Sequence, residues 1–305
     1  MTTDQATAEM MGDENMKIID VQVQTFTREA MKYQPNLKDI ERMMRTVFKR
    51  ESAFVPEEEF IAGLKAADVR AIMMSPMGWA KADRDLAQIK EMHDYMGHLK
   101  KTYPDTILGC WGDIDPRLGA SGARELERCI KDVGMLGIYT GAILTGIPVN
   151  DKLYRPLFEV CAEAGVPVKL SVGMTAMGQG TPGGGGVHLG YENPIPYVDD
   201  VAVKFPSLTI IAAHCAWPFH NEMTAVMIHK SNVHNELHGW SPKYFPAELK
   251  REINGRLQDR FMFGSDHPWF AYERLVRDWE SEGYKSEVLE KVYVTNARRI
   301  LGLDA

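Results

Sequence analysis

Short apolar runs alternate with amphipathic stretches along nearly the whole 305-residue chain, and this alternation constrains the fold more than any other feature. Residues 17–23 (KIIDVQV), 69–75 (VRAIMMS), 106–111, 134–141 (GMLGIYTG), 166–172 (VPVKLSV), 208–214, 232–238 and 261–266 read as strands, being short, β-branched and bounded by turn residues. Between them lie helical patterns. In residues 83–101, Leu86, Ile89, Met92, Met96 and Leu99 recur at three- and four-residue steps, and further helices are expected over 121–132, 153–165, 222–230, 246–255 and 272–282. Eight short apolar strands in repeated strand–helix–strand order, with no glycine fingerprint after the first strand, predict a closed (β/α)8 barrel of the TIM type rather than an open dinucleotide-binding sheet. The expected organisation is an N-terminal tail over 1–16 and one barrel domain over 17–305, with 287–293 and 296–301 as helices packing across the outside.

Two segments interrupt the pattern. Residues 25–68 hold the helical sequence LKDIERMMRTVFKR and a second helix start at Pro56-Glu-Glu-Glu, an insertion able to fold over one mouth of the barrel. Residues 173–194 (GMTAMGQGTPGGGGVHLGYENP) are too long and glycine-rich for a plain connector, which marks a lid or binding loop. The GGGG run is not a phosphate loop, because no Gly-Lys-Ser/Thr follows and no helix opens directly after it.

An apolar fraction of 45% and a charged fraction of 25% describe an ordinary globular chain, and a net charge of −7 argues against a nucleic-acid or anionic-membrane surface. Small molecules are the expected partners. Cys110, Cys129, Cys161 and Cys215 form no CxxC pair and are read as reduced thiols. The first sixteen residues lack the apolar core of a signal peptide, so the expected location is cytoplasmic. The 18 methionines are read as plastic core.

The candidate site is built around Asp266. It ends the apolar run FMFGSDHPW, where a barrel strand opens onto a cleft. His214 ends another apolar strand and is either a satisfied core histidine or a group that polarises a carbonyl or donates a proton. Asp20, Gln22 and Gln24 alternate on one face of the first strand, the glutamines as substrate-binding amides or as a mutually bonded interior pair. Lys169 and Ser171 share the interior face of the fifth strand, and the lysine needs a partner, either in an ion pair with Asp20 or in an electrophilic role. His234, Glu236 and His238 alternate on the seventh strand, with His238 at the cleft. Tyr139 and Trp111 end strands and either line the pocket or fill the core; His188 rides on the long loop and could join the site on closure; His267 is assigned to a turn or subunit contact.

With the strands placed, IIDVQVQ, GVPVKLSVG, TIIAAHCAWP, HGWSPKYFP and FGSDHPW together resemble the amidohydrolase-related family, from Ile18 to Leu301. That family includes decarboxylases, hydratases and hydrolases of carboxylated aromatics and ring-cleavage products, and the resemblance suggests a homodimer. Its metal-binding members usually carry His-x-His on strand one, a histidine on strand five, one on strand six and an aspartate on strand eight. Here those positions read Gln22 and Gln24, Ser171, His214 and Asp266, so only the last two match. Amide and hydroxyl oxygens are poor zinc ligands beside imidazole, and the expectation is therefore no metal and no cofactor. Lys169 would supply part of the missing positive charge. The function this implies is a metal-independent hydrolase of a small carboxylated cyclic or conjugated substrate, with Asp266 as base, His214 as acid or electrophile and Lys169 in the catalytic set. A decarboxylase or hydratase and a non-catalytic ligand-binding barrel are the alternatives.

Overall fold

The computed structural model describes residues 18–303 except 36, 52, 53, 79 and 81; the expected tail over 1–16 lies outside the described residues. The strands are β1 (Ile18–Gln24), β2 (Val69–Met74), β3 (Ile107–Gly112), β4 (Gly137–Thr140), β5 (Val168–Ser171), β6 (Ile210–Ala213), β7 (Val233–Glu236) and β8 (Phe261–Met262). They are parallel and pair in chain order. Closure follows from β8 meeting β1: Val21 N–H donates to Phe263 O at 3.1 Å, Asp266 N–H to Gln22 O at 3.0 Å and Gln24 N–H to His267 O at 2.8 Å. The (β/α)8 barrel expected from the alternation is the fold observed.

The crossovers carry α1 (Leu37–Thr46) and α2 (Glu57–Ala66) after β1, then α3 (Leu86–Thr102), α4 (Gly119–Arg128), α5 (Arg155–Ala164), α6 (Pro194–Lys204), α7 (His220–His229), α8 (Ala247–Ile253) and α9 (Tyr272–Ser281). Their starts and stops follow local chemistry. The Asp85 carboxylate accepts from Ala87 N–H at 3.0 Å to cap α3, and α5 stops at Gly165, which adopts φ 67°.

Pleating divides the strand residues between two cores. Val168, Leu170, Ile210, Ala212 and Phe261 meet the helices, whereas Ile19, Val21, Ile72, Met74, Trp111, Ile211 and Met262 fill the barrel. The last helix, α11 (Asn296–Leu301), follows α10 (Ser286–Glu290) and sends Ala297 and Leu301 into the interior cluster. This corrects the expectation that it packs across the outside. Asn296 fixes it there, donating to Phe261 O at 2.8 Å and Gln258 O at 2.9 Å, so one end of the barrel is plugged and the other is left for the site.

Candidate active site

β1 contains a bulge. Asp20 pairs with Ala71 but Val23 with Met73, so one extra residue lies between them. Ile19 and Val21 fill the interior below the bulge, and above it Gln22 and Gln24 turn inward. Asp20 is thereby separated from the glutamines, in contrast to the single face expected. Its buried carboxylate faces β8 and α9, accepting from Ser265 N–H and Gln22 N–H at 3.0 Å each, from Tyr272 OH at 2.7 Å and from the Ser265 hydroxyl.

Lys169, wholly buried, therefore does not pair with Asp20. Its ammonium lies 3.0 Å from Glu236 Oε1, donates to Gln22 Oε1 at 2.5 Å and to Val21 O at 3.1 Å, and stands 5.3 Å from the rings of Trp111 and Tyr139. Burial pulls the Lys169 pKa down, and Glu236 opposes it. Burial would raise the Glu236 carboxyl, but His238 and Lys169 overcome that and hold it at about 2. Glu236 also fixes His238, accepting from its ring Nδ1–H and, at 3.1 Å, from its backbone N–H. Gly264 makes room for this pair: a Cβ there would lie 2.5 Å from Glu236 Oε2 and 2.8 Å from His238 Cβ.

Above this layer sit the groups that face the cavity. The His214 and His238 rings lie against each other with centroids 4.0 Å apart and planes tilted by 47°, and Gln24 Nε2 donates to Asp266 Oδ1 at 2.6 Å. Burial, then His238, keeps His214 well below the usual histidine range, so it is a neutral imidazole; burial raises the Asp266 carboxyl. A point at the Cβ position of Gly239 would be 3.7 Å from Asp266 Oδ2 and 3.9 Å from His214 Nε2, which places the two groups around one spot. Both residues hold left-handed backbones, φ 71° for His214 and 61° for Asp266. Such angles cost of order 1–3 kcal/mol each and collect where a strand end must aim a side chain.

A cavity of about 50 Å³ opens here, lined by Gln22, Gln24, Tyr139, His214, His238 and Asp266, and roofed by Met43, Phe48, Ala176, Met177 and Trp269. The insertion after β1 and the long loop after β5 thus both cover the mouth. A larger groove of about 510 Å³ lies outside the barrel between α5 and α6, away from these groups.

The other expected residues fall as follows. Ser171 lies under the mouth with its hydroxyl unpartnered, and Trp111 is interior core, its indole N–H donating to Val21 O at 2.9 Å. His188 is exposed and packs on Tyr191 with centroids 5.1 Å apart, so it is outside the cavity as the loop stands. His234 faces the opposite end of the barrel, where burial and then Arg260 and Arg299 push it down to about 3. His267 packs between Phe60 and Tyr272. Sequence reasoning missed Glu192, whose carboxyl is buried with both oxygens unpartnered and pushed up to about 7, chiefly by burial, with the Ser171 hydroxyl and the Ile143 N–H facing it. Its one signal was being the only acid in the loop over 173–194.

The family model for amidohydrolases matches residues 45–303, most of the chain. The chain belongs to the amidohydrolase family. Among curated relatives of this amidohydrolase, the 2-amino-3-carboxymuconate-6-semialdehyde decarboxylase of Dictyostelium discoideum is 29% identical over 90 residues, covering 30% of this chain and 25% of that protein. The solved 5-carboxyvanillate decarboxylase of Sphingomonas paucimobilis superposes with a TM-score of 0.68 at 17% identity, covering 94% of this chain and 99% of its own. A Pseudomonas putida protein assigned as a 2-pyrone-4,6-dicarboxylic acid hydrolase gives 0.64 at 17%, covering 95% and 99%. The proteins this chain is similar to thus include decarboxylases and one assigned as a hydrolase.

The donor set at the mouth does not fit the divalent metal of the resembling enzymes. Gln22 Oε1 is taken by an ammonium and Gln24 turns its NH2, not its oxygen, toward Asp266. Among the described residues, His93, Glu125 and Cys129 bring ligand atoms within 4.8 Å of one another, but outside the mouth. There Arg128 already binds both Glu125 oxygens, at 2.8 and 2.9 Å, and burial pushes the Cys129 thiol far up.

Proposed function

We propose that this amidohydrolase hydrolyses a C–O or C–C bond beside a carbonyl in a small carboxylated cyclic or conjugated substrate, without a metal. The observation that carries the reading is the amide of Gln22. Lys169 holds its oxygen, which leaves Nε2 as a buried, unpartnered donor beside the cavity that Asp266 shares. A substrate carbonyl set on that N–H is polarised, and the nearby ammonium favours the negative charge that grows on its oxygen during attack. Asp266, raised by burial, takes a proton from water as the water oxygen bonds to the carbonyl carbon. The C–O or C–C bond then breaks, the carbonyl re-forms, and the leaving atom gains the proton that Asp266 took from water, relayed through the His214–His238 pair. Gln24 keeps the Asp266 carboxylate aimed at the water.

Non-oxidative decarboxylation is the second reading, supported by the decarboxylase relatives. Turnover of a panel of lactones and carboxylated vinylogous ketones in oxygen-18 water separates the two. Hydrolysis places one heavy oxygen in the product carboxylate, and Asp266→Asn abolishes it. Release of carbon dioxide with no label in the organic product would assign the lyase.

A further inference from the structure

A second cavity of about 410 Å³ adjoins the first and shares Phe48, Thr175, Ala176 and Trp269 with it. Among the described residues, its only charged lining groups are Arg50, from the segment after α1, and Arg274, from the first turn of α9, in a chain of net charge −7. Arg50 spends one nitrogen on two backbone oxygens, Pro268 O at 3.0 Å and Trp269 O at 3.4 Å, which keeps its guanidinium over the entrance with donors to spare. Arg274 lies 5.9 Å from the Phe270 ring, and its nearest carboxylate, Asp278, is 3.7 Å away and already accepts from the Ser241 hydroxyl at 2.6 Å. Trp240 and Trp269 supply flat apolar walls.

We propose that this antechamber is a recognition site for a distal anionic group, a carboxylate carried on a planar apolar body, at the end of the substrate away from the reacting carbonyl. The proposal rests on the hydrolytic reading only for what happens at the other end. The inner cavity of about 50 Å³ holds little more than a reacting carbonyl and a water, so the remainder of any substrate must extend outward past Trp269. What it meets there is aromatic surface and two forked cations, a combination that selects an aromatic or conjugated carboxylate over its neutral counterpart. The substrate class is then elongated, with a hydrolysable carbonyl at one end and an acid at the other.

Calorimetric titration of the full chain with 2-naphthoate and with 2-naphthamide tests this without turnover. The expected result is saturable naphthoate binding at least about tenfold tighter than the amide, weakened about tenfold in each of Arg50→Gln and Arg274→Gln and reduced by added salt. Quenching of Trp240 and Trp269 fluorescence, with Trp240→Phe and Trp269→Phe as controls, should follow the same isotherm. Equal affinity for acid and amide, no saturable binding of either, or binding that survives both arginine changes would overturn the proposal. Asp266→Asn keeps the two readings apart: it should leave naphthoate affinity intact, so a failure of the hydrolytic chemistry appears in turnover and not in this titration.

Discussion

Lys169 and Glu236 show what a single buried pair asks of its neighbours. Both are fully out of water, so neither is tolerable as a charge without the other. Lys169→Met strands the Glu236 carboxylate with His238 alone and should destabilise the protein by about 3–5 kcal/mol in urea unfolding. Adding Glu236→Gln to that variant should recover a large part of the loss, because the uncompensated charge goes with it. Glu192 makes a prediction in pH. Its folded pKa, raised from 4.5 to about 7, means that the folded state holds the proton more tightly than the unfolded chain does. The stability this contributes is complete below 4.5 and is lost as pH rises through 7. At roughly 1.36 kcal/mol per pH unit the loss is on the order of 3 kcal/mol, and Glu192→Gln should flatten the stability profile across that window.

At the scale of elements, the site depends on places where backbone must approach side chain. The segment just after β8 carries no side chain at Gly264 because Glu236, at the end of β7, and His238, two residues beyond it, occupy that space. Gly264→Ala should push the Glu236 carboxylate off Lys169, cost about 1–3 kcal/mol, and lower activity out of proportion to the loss of stability. Comparing residual activity with the folded fraction by circular dichroism checks the point. A helix cap far from the mouth behaves differently: Asp85→Ala should cost about 1 kcal/mol and leave kinetics untouched. The strands and their order were legible from β-branched runs and turn residues. The β1 bulge was not, since one extra residue leaves no mark in a pattern of alternating IIDVQVQ. It nonetheless decides that Gln22 and Gln24 face the cavity and Asp20 does not.

For the whole molecule, the absence of histidine at three positions matters more than the presence of any one residue. If Lys169 stands in for a cation, chelator should change neither the thermal midpoint nor turnover, whereas removal of a bound stabilising metal would lower the midpoint by several degrees. Metal analysis of the purified protein gives the same answer independently, and one zinc or manganese per chain would refute the proposed chemistry. None of the helices among the described residues is long and apolar enough to cross a membrane.

The chain's own order of residues determined the barrel, because a strand's period of two and a helix's of 3.6 are local properties that each segment carries with it. It also singled out Asp266, His214, Gln22, Gln24 and Ser171, through residue type at strand ends. Partnership was decided only in three dimensions. Lys169 meets Glu236 across 67 positions of chain and Gln22 across 147. Glu192 arrives beside Ser171 on a loop whose path has no periodicity, and α11 closes one end of the barrel by setting Ala297 and Leu301 against the interior apolar cluster. Burial is a property of the assembled molecule, and it is burial that moves the Asp266, Glu192 and His214 pKa values and sets which of them can act on a proton.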